Sequence, residues 1–470
     1  MSSTYTSLRL SLRPRLATLM VASVAALLTL SAIGCGNGNN SSAALGGTIV
    51  PGSSIAIDSA RDFAYVPNGF NSSGYGIVDV VNLAADPNKI NPVKAIITLS
   101  HKDFPLATLY YAKKDLVLIV SGQSGAGGYL DVFNAKTLQP VAGSPFSYAS
   151  GSQAGNDGQI GLVSGKLFND PKDDFAIVNE CDNATCSSGY VGTGFEAFDL
   201  NNLSGHSVTS QANYPEFMAA NYQTGLVVDA SDDDSPGQIG VFNSVTGAAC
   251  VLSDSNLESD NDSAALDPAT DIAVVSDGES NNIYTTSYTT SDVTILNLNG
   301  GRFSGNTAPC TFTESGTTPN SVRLSAVGTT VLEGGVVNPR THQAFLVGDS
   351  KPGLALISLP KKPVAQLTAS MVSAVKATMP NDPTGTVSSP QAAPYWQTID
   401  PSDNKAYVGL EDGFLVRIDL ATLAKHPSAI SNPLPTTSKC GSSYGVTGTT
   451  AGCSNSGNAV VFYPLNGRAP

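Results

Sequence analysis

One short segment recurs along the chain, and that recurrence constrains the fold more than any other feature. DSARDFAYVPN starts at Asp58, DPKDDFAIVNE at Asp170, DPATDIAVVSD at Asp267, NPRTHQAFLVG at Asn338 and DPSDNKAYVGL at Asp400. Each sets an Asp or Asn six residues before an Ala, namely Ala64, Ala176, Ala273, Ala344 and Ala406, with a β-rich run immediately after. Two weaker copies, YAKKDLVLIVS at Tyr111 and NYQTGLVVDAS at Asn221, fill the gaps and bring the total to seven. A repeat of this length is one supersecondary unit that must stack on its neighbours to bury its apolar faces.

The polar opening of each copy reads as a tight turn, in which Asp caps the backbone and Pro presets φ, and the apolar run as the strand returning from it. A further strand follows a variable loop: IVDVVNL at Ile77, LDVFNAKTL at Leu130, FEAFDLNNL at Phe195, IGVFNSVTG at Ile239, VTILNLNG at Val293, LALISLP at Leu354 and LVRIDLATL at Leu415. Inner strand, turn, second strand, loop, third strand, turn and outer strand make a four-stranded blade. The expected fold is all-β, a single β-propeller of about seven blades over 47–470, with eight blades as the alternative. The copies start 46 to 71 residues apart, more than the roughly 40 to 50 of a typical propeller repeat, so the excess belongs to loops. One helix is expected outside the ring, over Pro363–Met379, where Leu367, Met371, Val375 and Met379 recur every fourth residue. Strands from both termini, Thr48–Ile57 and Asn458–Leu465, are expected to complete one shared sheet.

YVPN at Tyr65–Asn68, the third-strand pattern ending in Asp, and Pro105, Pro215 and Pro394 ahead of the inner strands resemble the YVTN-type β-propeller repeats of exported bacterial and archaeal proteins. The resemblance spans roughly residues 46 to 465 and implies fold much more than function. Related seven-bladed propellers include lactonases, which makes a lactonase-like hydrolase, with its site at the mouth of the central channel, the enzymatic alternative.

The N-terminus predicts export. Arg9, Arg13 and Arg15 precede an uncharged run from Leu16 to Ile33, the layout of a signal peptide over 1–34. Ser31-Ala32-Ile33-Gly34-Cys35 resembles the lipobox of bacterial lipoproteins, which implies lipidation at Cys35. Ala32 stands where such boxes usually carry Leu, and ordinary cleavage after Gly34 or a retained anchor are the alternatives. Residues 35–46, rich in Gly, Asn and Ser, read as a flexible tether. The expected location is the cell envelope, periplasmic or at the cell surface, with the lipid as the sole membrane contact. Seven cysteines leave one over in an oxidising compartment. Giving Cys35 to the lipid leaves Cys181, Cys186, Cys250, Cys310, Cys440 and Cys453 for disulfides, and the most local pairing joins 181 to 186, 250 to 310 and 440 to 453.

The chain carries 24 basic and 38 acidic residues, a net −14 that becomes −17 once the three leader arginines are removed. That surface repels nucleic acid and anionic headgroups. His101, His206, His342 and His426 fall in different repeats, and His101 alone precedes an inner strand. No GxSxG elbow, Walker loop or dinucleotide fingerprint is present. The densest local chemistry is acidic: Asp229, Asp232, Asp233 and Asp234, then Asp254, Glu258, Asp260 and Asp262, then Asp277 and Glu279. On the loops of one end of the ring these carboxylates would suit a structural Ca²⁺, or serve as a solvated rim. Tyr284 and Tyr288, in the longest gap, are candidate contacts for a protein, glycan or cell-wall partner, or ordinary sheet residues. The composition therefore favours a monomeric binding or scaffold propeller. Carboxylates converging with an Arg or His at the mouth of the central channel would instead mark the hydrolase, and a polar, uncharged mouth the binding propeller.

Overall fold

The computed structural model describes residues 54–87, 90–122, 128–148, 160–163, 174–180, 194–209, 215–231, 238–244, 248–254, 256–257, 263–277, 292–298, 303–304, 311–312, 320–325, 327, 332, 334–348, 353–379, 394–410, 413–431 and 459–465. They form seven four-stranded antiparallel sheets, each built from consecutive segments, arranged as a β-propeller. Blade 1 comprises Ala56–Asp58, Phe63–Phe70, Gly76–Asn82 and Val93–Thr98; blade 2, Phe104–Tyr111, Leu116–Gly122, Gly128–Asn134 and Phe146–Tyr148. Blade 3 comprises Ile160–Val163, Phe175–Glu180, Gly194–Asp199 and Gly205–Thr209; blade 4, Pro215–Ala220, Leu226–Ser231, Gln238–Asn243 and Ala248–Ser253. Blade 5 comprises Ser263–Asp267, Ile272–Asp277, Asp292–Asn297 and Asn320–Leu324, and a small ribbon of Phe303–Ser304 with Thr311–Phe312 occupies the connection before its outer strand. Blade 6 comprises Gly334–Asn338, Gln343–Val347, Gly353–Ser358 and Ser373–Thr378; blade 7, Pro394–Asp400, Lys405–Leu410, Phe414–Asp419 and Val460–Pro464.

Each sheet is apolar on both faces because each is covered on both sides. In blade 1, Val80 packs towards Ile119 and Phe133 of blade 2, and its neighbour Val81 towards Tyr407, Leu415 and Val461 of blade 7. Fully burying one such side chain contributes about 1.5–3 kcal/mol. The repeated Ala lies at these contacts. Ala64 packs with blade 7, Ala176 with blade 2, Ala273 with blade 4, Ala344 with blade 5 and Ala406 with blade 6, so every copy turns to the preceding blade, fully buried.

The repeated turns bind the blades together at the opposite end from the long loops. The fifth residue of the turn has a positive φ in six copies, Asp62, Asp115, Gly225, Asp271, His342 and Asn404, a conformation that Gly, Asn and Asp tolerate best. The first turn residue of one blade reaches this fifth residue of the next. Tyr111 Oη donates to Asp174 at 2.7 Å, Asn221 Nδ2 to Asp271 at 2.8 Å and Asn338 Nδ2 to Asn404 at 2.7 Å, while His342 Nδ1 lies 2.9 Å from Asp267. Arg61 bridges Asp58 to Asp115, Tyr222 Oη donates to Asp174 at 3.1 Å, and Ser59 Oγ donates to Asp400 at 3.5 Å. All seven interfaces are bridged in this way.

Two expectations are corrected. Among the described residues the termini do not share a sheet: Ala56–Asp58 pairs with Phe63–Phe70 in blade 1, and Val460–Pro464 pairs with Phe414–Asp419 in blade 7. Because the returning C-terminal segment supplies the outer strand of blade 7, no sheet lacks a strand. The ring closes by packing of Ile55 and Val81 on Leu415 and Tyr463. Ser54 N donates to the Gln397 carbonyl at 3.1 Å, Gln397 N to Ser54 Oγ at 3.2 Å, and Tyr463 Oη to the Leu83 carbonyl at 3.1 Å. Nor is Pro363–Met379 a helix. It carries one short 3₁₀ turn, Ala369–Met371, followed by Ser373–Thr378 as the outer strand of blade 6. Pairing with Gly353–Ser358 overrides the four-residue period, leaving Met371 exposed while Leu367 and Met379 are buried. A helix forms instead at Leu420–Lys425, where Asp419 accepts a hydrogen bond from Thr422 N at 2.6 Å, and Leu420 and Leu423 pack with Ile430 against blades 6 and 7.

Candidate functional site

The connection from blade 1 to blade 2, between Val93–Thr98 and Phe104–Tyr111, carries His101 to the loop-bearing end of the seam between the two blades. There His101 Nε2 lies 2.7 Å from Asp131 Oδ2, and Nδ1 lies 2.9 Å from Asp103 Oδ2. Ser121 Oγ donates to Asp131 at 3.1 Å and lies 3.5 Å from His101 Nε2. The Tyr129 ring stacks on the imidazole at a centroid distance of 4.6 Å. The loop reaches this position because blade 1 offers Gly76, where a Cβ would stand 2.4 Å from the Asp103 carbonyl oxygen.

A serine, a histidine and a carboxylate on the far ring nitrogen are the parts of a nucleophilic triad. Their environment gives them a different chemistry. Asp131 lies nearer to Nε2 than Ser121 does, so the imidazole edge that would take the serine proton is engaged by a carboxylate. Ser121 is fully buried and Asp131 nearly so. Burial disfavours a charged imidazole, but Asp131 and then Asp103 outweigh it and raise the His101 pKa; burial likewise raises that of Asp103, against the pull of His101. The imidazole is clamped between two carboxyl groups with both ring nitrogens engaged, an arrangement poorly suited to taking the Ser121 proton.

Two further ring contacts involve the chain neighbours of His101 and Asp103. Phe70, 41% exposed, meets Phe104 edge-on at 5.6 Å, and Lys102 Nζ stands 5.9 Å above the Tyr75 ring. Phe70 and Tyr75 flank a turn in which Asn71 Oδ1 accepts hydrogen bonds from Ser73 N and Tyr75 N at 2.9 and 3.0 Å.

Asp131 belongs to a series. The third strands of blades 1, 2 and 3 carry Asp79, Asp131 and Glu196 at one register level, opposite Val66, Ile119 and Val178 of the second strands. All three acids are buried, and Asn68 Nδ2 donates to Asp79 at 2.7 Å. These residues and Ser121 were not singled out from sequence. The available signal was a polar residue interrupting an apolar strand, as in IVDVVNL and LDVFN.

The acidic cluster is only partly described. Asp229 is not on the rim: it lies within Leu226–Ser231, fully buried, opposite Met218 and Gly240. The strand after Ala220 runs two residues further than a loop reading allows, and its pairing turns this carboxyl into the seam between blades 3 and 4. Asp254 accepts hydrogen bonds from Ser321 Oγ at 2.7 Å and Asn256 N at 2.8 Å. Asp277 ends the second strand of blade 5, opposite Asp292. Among the described residues, no group of three His, Cys, Asp or Glu is placed to hold a metal ion. Asp232, Asp233, Asp234, Glu258, Asp260, Asp262 and Glu279 lie outside the described residues, as do Tyr284, Tyr288, Cys35, Cys181, Cys186, Cys310, Cys440 and Cys453. Cys250 is in the outer strand of blade 4, opposite Val241.

The fold defines the class: the chain is a seven-bladed β-propeller. No protein-family model matches its sequence, and no curated protein matches it either.

Proposed function

We propose that this chain is an exported binding or scaffold propeller of the YVTN type, lipid-anchored through Cys35, that holds a protein, glycan or cell-wall partner on its loop-bearing end. The observation that carries the reading is the His101 knot. The cluster closest to acid–base machinery has its imidazole clamped by Asp103 and Asp131, while Phe70, Tyr75 and Tyr129 offer ring surface beside it. Binding needs a rigid platform with side chains held in place, and stacked aromatic rings supply contact area at low entropic cost. Any metal on the acidic loops would be a structural Ca²⁺.

The experiment is a binding screen of the purified protein against cell-wall glycan fragments and envelope proteins, with a turnover assay on lactones and esters, each with and without calcium. Binding weakened by Phe70→Ala or Tyr75→Ala, without turnover, supports the reading. A second reading is kept by the 3.5 Å approach of Ser121 to His101 Nε2. Lactone or ester hydrolysis abolished by both Ser121→Ala and His101→Gln would replace the binding reading with the hydrolase.

A further inference from the structure

The seams between blades carry one carboxylate at the same level four times in succession, and the fourth differs from the rest. Asp79, Asp131 and Glu196 come from third strands, at the seams of blade 1 with 7, 2 with 1 and 3 with 2. At the seam of blade 4 with blade 3, Gly240 occupies that third-strand position and the acid is Asp229, directly opposite on the second strand. The other six blades place Val66, Ile119, Val178, Val275, Leu346 and Val408 at the level of Asp229, all buried. The repeat itself thus supplies the comparison: this position is apolar in every other copy.

Asp79 and Asp131 accept hydrogen bonds from Asn68 and Ser121. Neither Asp229 oxygen meets a donor, and the residue has no accessible surface. Its surroundings are apolar: Met218 and Phe242 in its own blade, Phe175, Ile177 and Ala197 in blade 3. On the facing elements of blade 3, two titratable residues stand near Ala197 in register. Asp199 is at the turn, where it accepts from Asn201 N at 2.7 Å, and His206 is in the outer strand opposite Ala197. Glu196 alternates to the other face, that of Phe198. On the flanking strands of its own blade, Met218, Ala220, Val227, Gly240 and Phe242 carry no titratable group; the titratable residue of Pro215–Ala220 is Glu216, within the irregularity between Pro215 and Met218.

We propose that Asp229 is carried as a neutral acid inside the folded ring and that its ionisation loosens the seam between blades 3 and 4, making that seam the place where the propeller opens as pH rises. An ionised carboxylate here would have no counter-charge and no donor, and such a group is costly to bury. Burial alone accordingly holds its carboxyl well above the usual carboxylate range. The sign follows. Between the ordinary carboxyl pKa of the unfolded chain and the raised one of the fold, the native state binds one proton more. Folding is then strongest at low pH and weakens as pH climbs through that window.

The test compares urea unfolding of wild type, Asp229→Asn and Asp229→Val from pH 5 to pH 9. The wild-type folding constant should fall by up to about tenfold per pH unit relative to both variants, and Asp229→Val should be the most stable of the three at the alkaline end. Hydrogen-exchange protection of Phe175–Glu180 and Leu226–Ser231, corrected for the intrinsic base-catalysed rate, should fall with pH in wild type and much less in Asp229→Val. Equal pH slopes in all three proteins, or a wild type more stable than Asp229→Val throughout, would overturn the proposal. If Asp229→Val does not fold, infrared difference spectroscopy decides. A protonated-carboxyl band at neutral pH that disappears in Asp229→Asn supports the neutral acid, and a wild type without that band refutes it.

Discussion

Arg61 of blade 1 grips Asp115 of blade 2 through two parallel hydrogen bonds of 2.7 Å, one from each terminal nitrogen, while also contacting Asp58 at 2.5 Å. The residue that distinguishes the first repeat, DSARD, is therefore the fastener between two blades. Asp115 holds its carboxyl below the usual range because of the Arg61 hydrogen bonds, and the Arg61 pKa is correspondingly raised, first by Asp115.

Arg61→Ala should lower stability by about 1 kcal/mol, since the guanidinium is partly exposed and solvent screens the pair. Arg61→Lys should recover only part of the loss, because an ammonium cannot make the two-pronged contact. Chemical denaturation of the three proteins checks both statements.

The His101 knot should leave a pH signature. Its pKa is raised in the fold, so the stability it contributes is full below the unfolded-state value of about 6.5 and is lost as pH rises through the folded-state value. Asp131→Asn should lower the His101 pKa and flatten that limb. Imidazole titration by NMR in the two proteins measures it; an unchanged His101 titration would contradict the clamp.

Gly76→Ala should displace the 99–105 loop, because the new methyl would meet the Asp103 carbonyl oxygen at 2.4 Å. Overpacking of this kind costs about 1–3 kcal/mol. The expected result is a lower melting temperature with loss of the His101 signature, read by calorimetry and by the same titration.

Removing Ala459–Pro470 deletes the outer strand of blade 7 together with Phe462 and Tyr463, both buried. The melting temperature of the whole ring should fall, since Tyr463 also bonds Leu83 of blade 1. An unchanged melt would mean that this strand is dispensable for closure.

If the proposed anchor at Cys35 forms, Cys35→Ser should move the protein from the membrane fraction to the soluble fraction. Mass spectrometry of the mature N-terminus gives the direct answer, and an unmodified Cys35 would refute the anchor.

The sequence by itself determined the blade. Its turn residues, its buried Ala and its alternating strands are local or periodic signals, and seven copies impose stacking because one sheet cannot cover both of its own faces. Tertiary structure decided what those residues do once stacked. The turn that reads as self-capping also reaches across to the next blade, a relation between residues 50 positions apart for Asn221 with Asp271 and 75 for Asp267 with His342. Ser373–Thr378 shows the same limit, since its helical spacing yields to the open edge of Gly353–Ser358. The His101 knot and the unpartnered Asp229 were illegible for a related reason. Whether a polar residue in a strand faces solvent, a partner or an apolar neighbour depends on the adjoining sheet, and only ring closure puts that sheet in place.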